Sequence, residues 1–285
     1  GYIMNHNIFD GMKAFNLFDI EESRNSAVPL STIFHDKELS NRYVDLILDL
    51  SHSKGSRELN IIKKHVNWIH ETVFENKPRF FVDIGCGVGF YTYYLCELGS
   101  QGLGIDIMSK AISYAIENHA SPSSKFLCAD FLDFDFPDSV DCFLFIYSIF
   151  NTLEISLAKQ FLQNINRCLN PGGVFYFEPF KFTSYEKFPV RHWDFYENSL
   201  FHDAMHLILY DTLHNQDNNT ITSYNHIVTD DGHLTTYKSN IQLYTHQQYQ
   251  QLLHDAGFNQ VEFLVTPDFI NKSDDKDYMA IKAIK

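Results

Sequence analysis

What this chain has little of narrows its function before any motif is considered. Basic residues are few, with 22 lysines and arginines against 36 aspartates and glutamates, a formal net charge of −14. That balance repels phosphate backbones and removes the counterion-release term that drives nucleic-acid binding, so no nucleic-acid partner is expected. Long apolar runs are missing as well. The longest surrounds Cys142-Phe143-Leu144-Phe145-Ile146-Tyr147, far short of the ~20 residues a membrane helix needs; it reads as a buried strand, and no membrane partner is expected. The five cysteines (Cys86, Cys96, Cys128, Cys142, Cys168) are odd in number, lack Cys-x-x-Cys spacing and sit mostly in apolar segments, the pattern of reduced core thiols. No basic start followed by an apolar stretch is present, and Gly1 to Ile3 ahead of Met4 read as an expression remnant, so a cytoplasmic location is expected. No internal repeat or low-complexity tract stands out.

What is present is a chain of 285 residues with a hydrophobic fraction of 45%, enough for one large α/β domain with an insertion. Ile61, Ile62, Val66, Ile69 and Val73 recur near helical spacing, which predicts a helical stretch over residues 31–74 and an N-terminal helical cap over residues 4–76. From residue 79 strands and helices alternate. Strands are predicted at 79–83, 102–107, 125–128 and 140–147, helices at 90–98, 109–118 and 153–169. The turn Asn170-Pro171-Gly172-Gly173 leads into a fifth strand at 174–177. Such alternation predicts a parallel sheet with right-handed crossovers. A helix at 245–256 ended by Gly257, then strands at 260–265 and 277–284, complete the same domain, which takes residues 77–180 and 245–285. Between them, residues 181–244 hold an aromatic, irregular stretch and three strand-like runs at 204–213, 220–228 and 233–243. The Asn-rich loop 214–219 and the turn Asp230-Asp231-Gly232 separate these runs, as hairpin connections do. An antiparallel β lid inserted after the fifth strand is expected there.

The chemistry concentrates in Asp83-Ile84-Gly85-Cys86-Gly87-Val88-Gly89, which follows a strand and opens a helix. Glycine there lets a nucleotide-like ligand approach the backbone closely. The segment can be an ordinary turn, or a dinucleotide loop whose fingerprint is G-x-G-x-x-G with pyrophosphate on the helix N-terminus. Here the spacing is G-x-G-x-G, with Asp83 two residues before the first glycine. A carboxylate beside the loop repels pyrophosphate but suits a ligand carrying an ammonium and a sulfonium, which is S-adenosylmethionine. Asp106 ends the second strand, where a carboxylate accepts hydrogen bonds from both ribose hydroxyls, with Ile107 beside it. Asp130 and Phe131 end the third strand and offer a carboxylate and a ring edge to an adenine, although an aspartate there also serves as a turn residue.

Taken together these motifs resemble the class I S-adenosylmethionine-dependent methyltransferases. The matching residues are Val82 through Gly89, Gly104-Ile105-Asp106, Ala129-Asp130-Phe131, Leu169-Asn170-Pro171-Gly172-Gly173 and Ala256-Gly257-Phe258. The resemblance implies a Rossmann-like seven-stranded, mostly parallel sheet whose last strand is antiparallel. Upstream, Ser56-Arg57 followed by Val66-Asn67-Trp68-Ile69 is similar to a bacterial small-molecule branch with a helical cap. That similarity implies Arg57 as a contact to the cofactor carboxylate, with a surface ion pair as the alternative. The chain has Tyr147-Ser148-Ile149-Phe150-Asn151 where amide and exocyclic-amine methylases carry Asn-Pro-Pro-Tyr.

In-line methyl transfer asks the enzyme to align the nucleophile, exclude water and, where needed, take a proton. Glu178 ends the fifth strand as a candidate base or cation binder, and a solvated strand-end acid is the alternative. Tyr147 after the fourth strand is a shaping residue. His192 and His202 in the lid are candidate bases, while most histidines of an aromatic fold only pack. His202 and His206 have helical ligand spacing without a third ligand, so no metal site is expected. The expected protein methylates a small-molecule oxygen, nitrogen or carbon as a monomer or homodimer. A nicotinamide-dependent oxidoreductase on the same sheet and a non-catalytic cofactor-binding protein are the alternatives.

Overall fold

The computed structural model describes residues 20–49, 58–187, 190–271 and 278–285. In chain order the elements are α1 (Ile20–Asn25), β1 (Val28–Pro29), α2 (Lys37–Leu48), α3 (Leu59–Thr72), β2 (Phe80–Ile84), α4 (Phe90–Glu97), β3 (Gln101–Asp106), α5 (Ser109–His119), β4 (Ser124–Cys128), β5 (Val140–Phe145), α6 (Ile155–Cys168) and β6 (Leu169–Phe177). They continue with β7 (Arg191–Tyr196), β8 (His206–Asn215), β9 (Thr220–Thr229), β10 (Leu234–Gln242), α7 (His246–Asp255), β11 (Gln260–Leu264), α8 (Asp268–Asn271) and β12 (Ala280–Ile284). Two compact units result. One takes Ser40–Phe182 and Tyr244–Lys285; the other joins the described residues up to Leu39 to Thr183–Leu243.

The larger unit is built on a seven-stranded sheet of order β11-β12-β6-β5-β2-β3-β4. Strands β2 to β6 pair in parallel, and β12 runs antiparallel to both β6 and β11. This is the Rossmann-like α/β arrangement with an antiparallel last strand. The period-2 alternation of each strand decides which layer it meets. Val82, Ile84, Phe143, Phe145, Phe175 and Phe177 join the core formed with Phe161, Leu162 and Ile165 of α6 and Tyr249 and Leu253 of α7. Phe81, Asp83, Leu144 and Tyr176 point to the other layer, where Ile62, Val66 and Ile69 of α3 are buried. A buried phenylalanine contributes roughly 1.5–3 kcal/mol of transfer free energy, so the rings of this core add substantially to the stability of the unit. The capping box at Thr245 and Gln248 starts α7, and Gly257 stops it at φ +104°.

The smaller unit is a five-stranded sheet of order β1-β10-β9-β8-β7, antiparallel except for the short parallel pair β1 and β10. It interrupts the larger unit's chain after the fifth strand of the alternation, β6. Arg24 of α1 grips Asp211 of β8 with two bonds, Nε to Oδ2 at 2.8 Å and Nη2 to Oδ1 at 2.9 Å. Burial alone would raise the Asp211 carboxyl, but Arg24, His226 and Arg191 outweigh it and hold the group below its ordinary value.

Three elements differ from expectation. The single helical stretch over 31–74 is a 3₁₀ turn at Leu30–Phe34 followed by α2 and α3; residues 50–57, and Arg57 with them, lie outside the described residues. The stretch expected to be irregular contains β7, because Arg191 to Tyr196 pair with Asp211 to His206. The turn before the fifth strand is itself drawn into β6: Leu169 pairs with Val140, and Gly172 and Gly173 exchange backbone bonds with Lys285.

Candidate active site

The glycine loop joins β2 to α4, at the carboxyl edge of the sheet where open α/β folds bind ligands. Gly85, Gly87 and Gly89 have φ of +70°, +56° and +90°, the left-handed region that side chains resist. At Gly89 space is short as well: an added Cβ would lie 2.6 Å from the Phe126 ring. At Gly87 the nearest atom to such a Cβ is Ile47 Cδ1 of α2 at 4.0 Å, so this position is held to glycine by backbone conformation. The loop is tied down by Cys86 N–H donating to Ile105 O at 2.9 Å and Gly89 N–H donating to Cys86 O at 3.0 Å.

Two buried carboxylates stand beside it. Asp106, at the end of β3, accepts from Gly87 N at 2.9 Å through Oδ2 and from Met108 N at 2.9 Å through Oδ1. Its carboxyl is raised by burial, against the pull of those amides. Each oxygen still has a second lone pair, which a diol can use. Asp83, 2% exposed, accepts from Thr92 Oγ1 at 2.7 Å. Burial, helped by the Asp106 charge and opposed by Thr92, pushes its carboxyl up to about 7. The Cys86 thiol is raised by burial and by the same two carboxylates, which disfavours its thiolate. Tyr43 of α2, which the pattern did not mark, is pushed up to about 12 by burial and the Asp106 charge.

Asp130 and Phe131 are committed locally. Asp130 Oδ1 accepts from Leu132 N at 3.0 Å, and its carbonyl accepts from Asp133 and Phe134, which makes it a turn residue. Phe131 packs edge-on against Phe145 and Phe161, each at 5.3 Å between ring centroids. Ile107 is half-buried and accepts the Cys128 thiol through its carbonyl at 3.4 Å.

Glu178 follows β6 directly and is 2% exposed, so it is no solvated strand end. Its Oε2 accepts from Tyr176 Oη at 2.8 Å and lies 3.2 Å from His65 Nε2; its Oε1 is 3.5 Å from the Tyr147 amide. Tyr147 holds φ +70°, ψ 168°, a conformation costing roughly 1–3 kcal/mol for a non-glycine residue and therefore one the surroundings must impose. The chain behind it is pinned by Asn151, which donates to Tyr249 Oη at 2.9 Å and accepts from Phe180 N at 2.8 Å.

His192 and His202 belong to the smaller unit. His192 pairs with Asp194 at 2.8 Å on exposed β7 and stacks on Tyr210; His202 lies 3.8 Å from Asp230 with its ring edge-on to His206. His206 bonds Ser199 Oγ and Ala204 O, and among the described residues no group of three metal-ligating side chains occurs.

Residues 82–177, the segment holding the loop, both carboxylates and Tyr147, match the family model described as a methyltransferase domain. Over these residues the sequence resembles a methyltransferase domain. Sterol 24-C-methyltransferase erg-4 of Neurospora crassa is 28% identical over 152 residues, covering 50% of this chain and 39% of that protein. The chain thus spans about two fifths of the length of the sterol methyltransferases it matches. The CcbJ methyltransferase of Streptomyces caelestis shares the domain's fold with a TM-score of 0.62 at 12% identity, over 87% of this chain and 97% of its own. The S-adenosylmethionine-bound amino pentose methyltransferase CalS10 of Micromonospora echinaspora superposes with a TM-score of 0.53 at 14% identity, over 78% and 91%. Among the described residues no helix is long and apolar enough to cross a membrane.

Proposed function

We propose that this chain is an S-adenosylmethionine-dependent methyltransferase that acts on a small-molecule acceptor by in-line transfer. The observation that carries the reading is the pair of buried carboxylates, Asp83 and Asp106, at the ends of adjacent strands around a loop of three left-handed glycines. The residues present fit the methyl donor. Gly87 leaves the loop backbone uncovered by a side chain, Asp106 keeps lone pairs for the ribose hydroxyls, and Asp83 is a carboxyl raised to about 7 whose ionised form a cationic ligand favours. When bound, the donor supplies a methyl group on a positively charged sulfur.

The loop Gly85, Cys86, Gly87 and Gly89 places the amino-acid end of the ligand, and Asp106 with Ile107 places the ribose. Asp130 and Phe131 border the adenine, whose ring meets the Phe131 edge left over from the core. Glu178 binds or deprotonates the acceptor, and the strained Tyr147 backbone presents its ring as a wall of the cleft. The relatives include proteins named for carbon, oxygen and sugar-nitrogen methylation, so the nucleophile is not narrowed by them.

Calorimetric titration tests the donor site: S-adenosylhomocysteine binds and raises the melting temperature, and nicotinamide dinucleotides do neither. The opposite ranking would return the chain to the oxidoreductases. Incubation with isotopically labelled donor and a small-molecule extract tests turnover, and binding without any labelled product would leave a cofactor-binding protein.

A further inference from the structure

Nothing in the sequence pattern singles out His65, which lies on the apolar stripe of α3 between Ile62 and Ile69 and is fully buried. Its ring is nevertheless the centre of a polar cluster. Nδ1 is 2.9 Å from Tyr91 Oη of α4, and Nε2 is 3.3 Å from Tyr176 Oη and 3.2 Å from Glu178 Oε2. Trp68 stacks on one face at 5.7 Å, and the Tyr91 ring meets it edge-on at 5.4 Å. A histidine held on both nitrogens and stacked on an indole has one available geometry, and its proton position follows from its partners. Tyr176 Oη already donates to Oε2. A hydrogen on Nε2 is placed to go to the same oxygen, and in that tautomer Nδ1 accepts from Tyr91.

We propose that His65 is the positioning residue of Glu178: it donates from Nε2, aims the carboxylate at the acceptor and holds it ionised in a buried site. The consequence for the acceptor rests on the methyltransferase reading above, whereas the contact itself does not. An isolated buried carboxylate takes up a proton instead of staying charged. Glu178 has three donors converging on it, from Tyr176, His65 and the Tyr147 amide, and charge-assisted bonds of this kind offset the desolvation. Among the described residues the other titratable groups of this layer include Asp83 on β2, in register with Leu144 and through it with Tyr176, Asp106 on β3, two residues beyond the Gly104 that faces Asp83, and Lys282 on β12, directly opposite Tyr176. Lys282 Nζ lies 3.6 Å from Glu75, Asp83 accepts from Thr92 and Asp106 accepts from the Gly87 and Met108 amides, so each already has a partner of its own. An ionised Glu178 favours an acceptor that arrives as an ammonium or must lose a proton as its methyl bond forms.

The test follows the Glu178 carboxyl by carbon-13 NMR against pH, with Glu178→Gln to assign the signal, and needs no acceptor. In the wild-type protein the carboxyl is ionised at neutral pH and nitrogen-15 spectra place the His65 proton on Nε2. His65→Phe keeps a ring in the site and removes both nitrogens; its Glu178 titration midpoint rises by at least one pH unit, and His65→Gln, which restores an N–H near Nε2, recovers part of that shift. S-adenosylhomocysteine affinity changes less than threefold in both variants, which separates this result from a failed donor site. An unmoved midpoint in His65→Phe, or a wild-type proton on Nδ1 with Nε2 bare, overturns the proposal; the second measurement stands even if the variant does not fold.

Discussion

Asp83 offers a quantitative check, because its carboxyl carries a proton in a range where ordinary aspartates do not. Its value rises from 3.8 to about 7, first through burial and then through the neighbouring Asp106 charge, with the Thr92 hydrogen bond opposing. A group raised on folding holds its proton more tightly in the native state, so its contribution to stability is complete below the unfolded value and is lost as pH climbs through the folded one. Between pH 3.8 and 7 the ligand-free protein therefore loses about 4 kcal/mol from this group, at roughly 1.4 kcal/mol per unit. Asp83→Asn removes the dependence and leaves the ligand-free protein more stable than wild type at pH 8 by an amount of that order. Binding couples to the same proton. The ammonium and, in the substrate, the sulfonium favour the ionised form, so S-adenosylhomocysteine binding below pH 7 expels a substantial fraction of a proton. Titration calorimetry in two buffers of different ionisation enthalpy reads that number directly. Equal heats in both buffers, together with an unchanged pH dependence of urea unfolding in Asp83→Asn, would refute the assignment of Asp83 to the donor's charged end.

Other perturbations separate backbone, packing and charge. Gly89→Ala combines a φ of +90° with a Cβ 2.6 Å from Phe126 and should lower stability by about 3 kcal/mol or more, whereas Gly87→Ala, with open space, should cost only about 1 kcal/mol; denaturant midpoints of the two compare them. Arg24→Met leaves Asp211 buried with its strongest partner gone and should cost about 3–5 kcal/mol by urea unfolding at pH 7. Because the Asp211 carboxyl is held low in the fold, that loss should shrink as pH falls through the carboxylate range. Asn151→Ala strands the Phe180 amide and removes the donor to the Tyr249 hydroxyl, which keeps its own bond to Phe180 O at 3.1 Å, and should cost about 2 kcal/mol, with a matching fall in melting temperature by calorimetry.

The fold was legible wherever local periodicity and tertiary demand agree. Strand, glycine turn and helix recur in the order that a parallel sheet requires, and the antiparallel β12 followed from resemblance alone. Residues 191–196 were not legible as a strand, because Arg191 to Tyr196 carry no alternation of burial and pair only along one edge. At the site, Asp83 and Asp106 stood out because strand ends carry ligand chemistry. Asp130 stood out equally, yet its carboxylate serves its own turn; spacing places an aspartate without saying which neighbour it bonds.

His65 shows the reverse failure. Placed between Ile62 and Ile69, it reads as one more buried position of an apolar stripe, and its chemistry comes from Tyr91, Tyr176 and Glu178, which lie 26, 111 and 113 residues away in the chain. The alternation of β6 makes that meeting possible: Tyr176 and Glu178 share one face while Phe175 and Phe177 fill the core on the other. A one-residue slip of β6 would bury both polar groups among phenylalanines and turn the aromatic rings toward α3. The packing that stabilises the sheet therefore also sets which side chains reach the catalytic edge, and that selection is a property of register that no single-residue pattern in the sequence expresses.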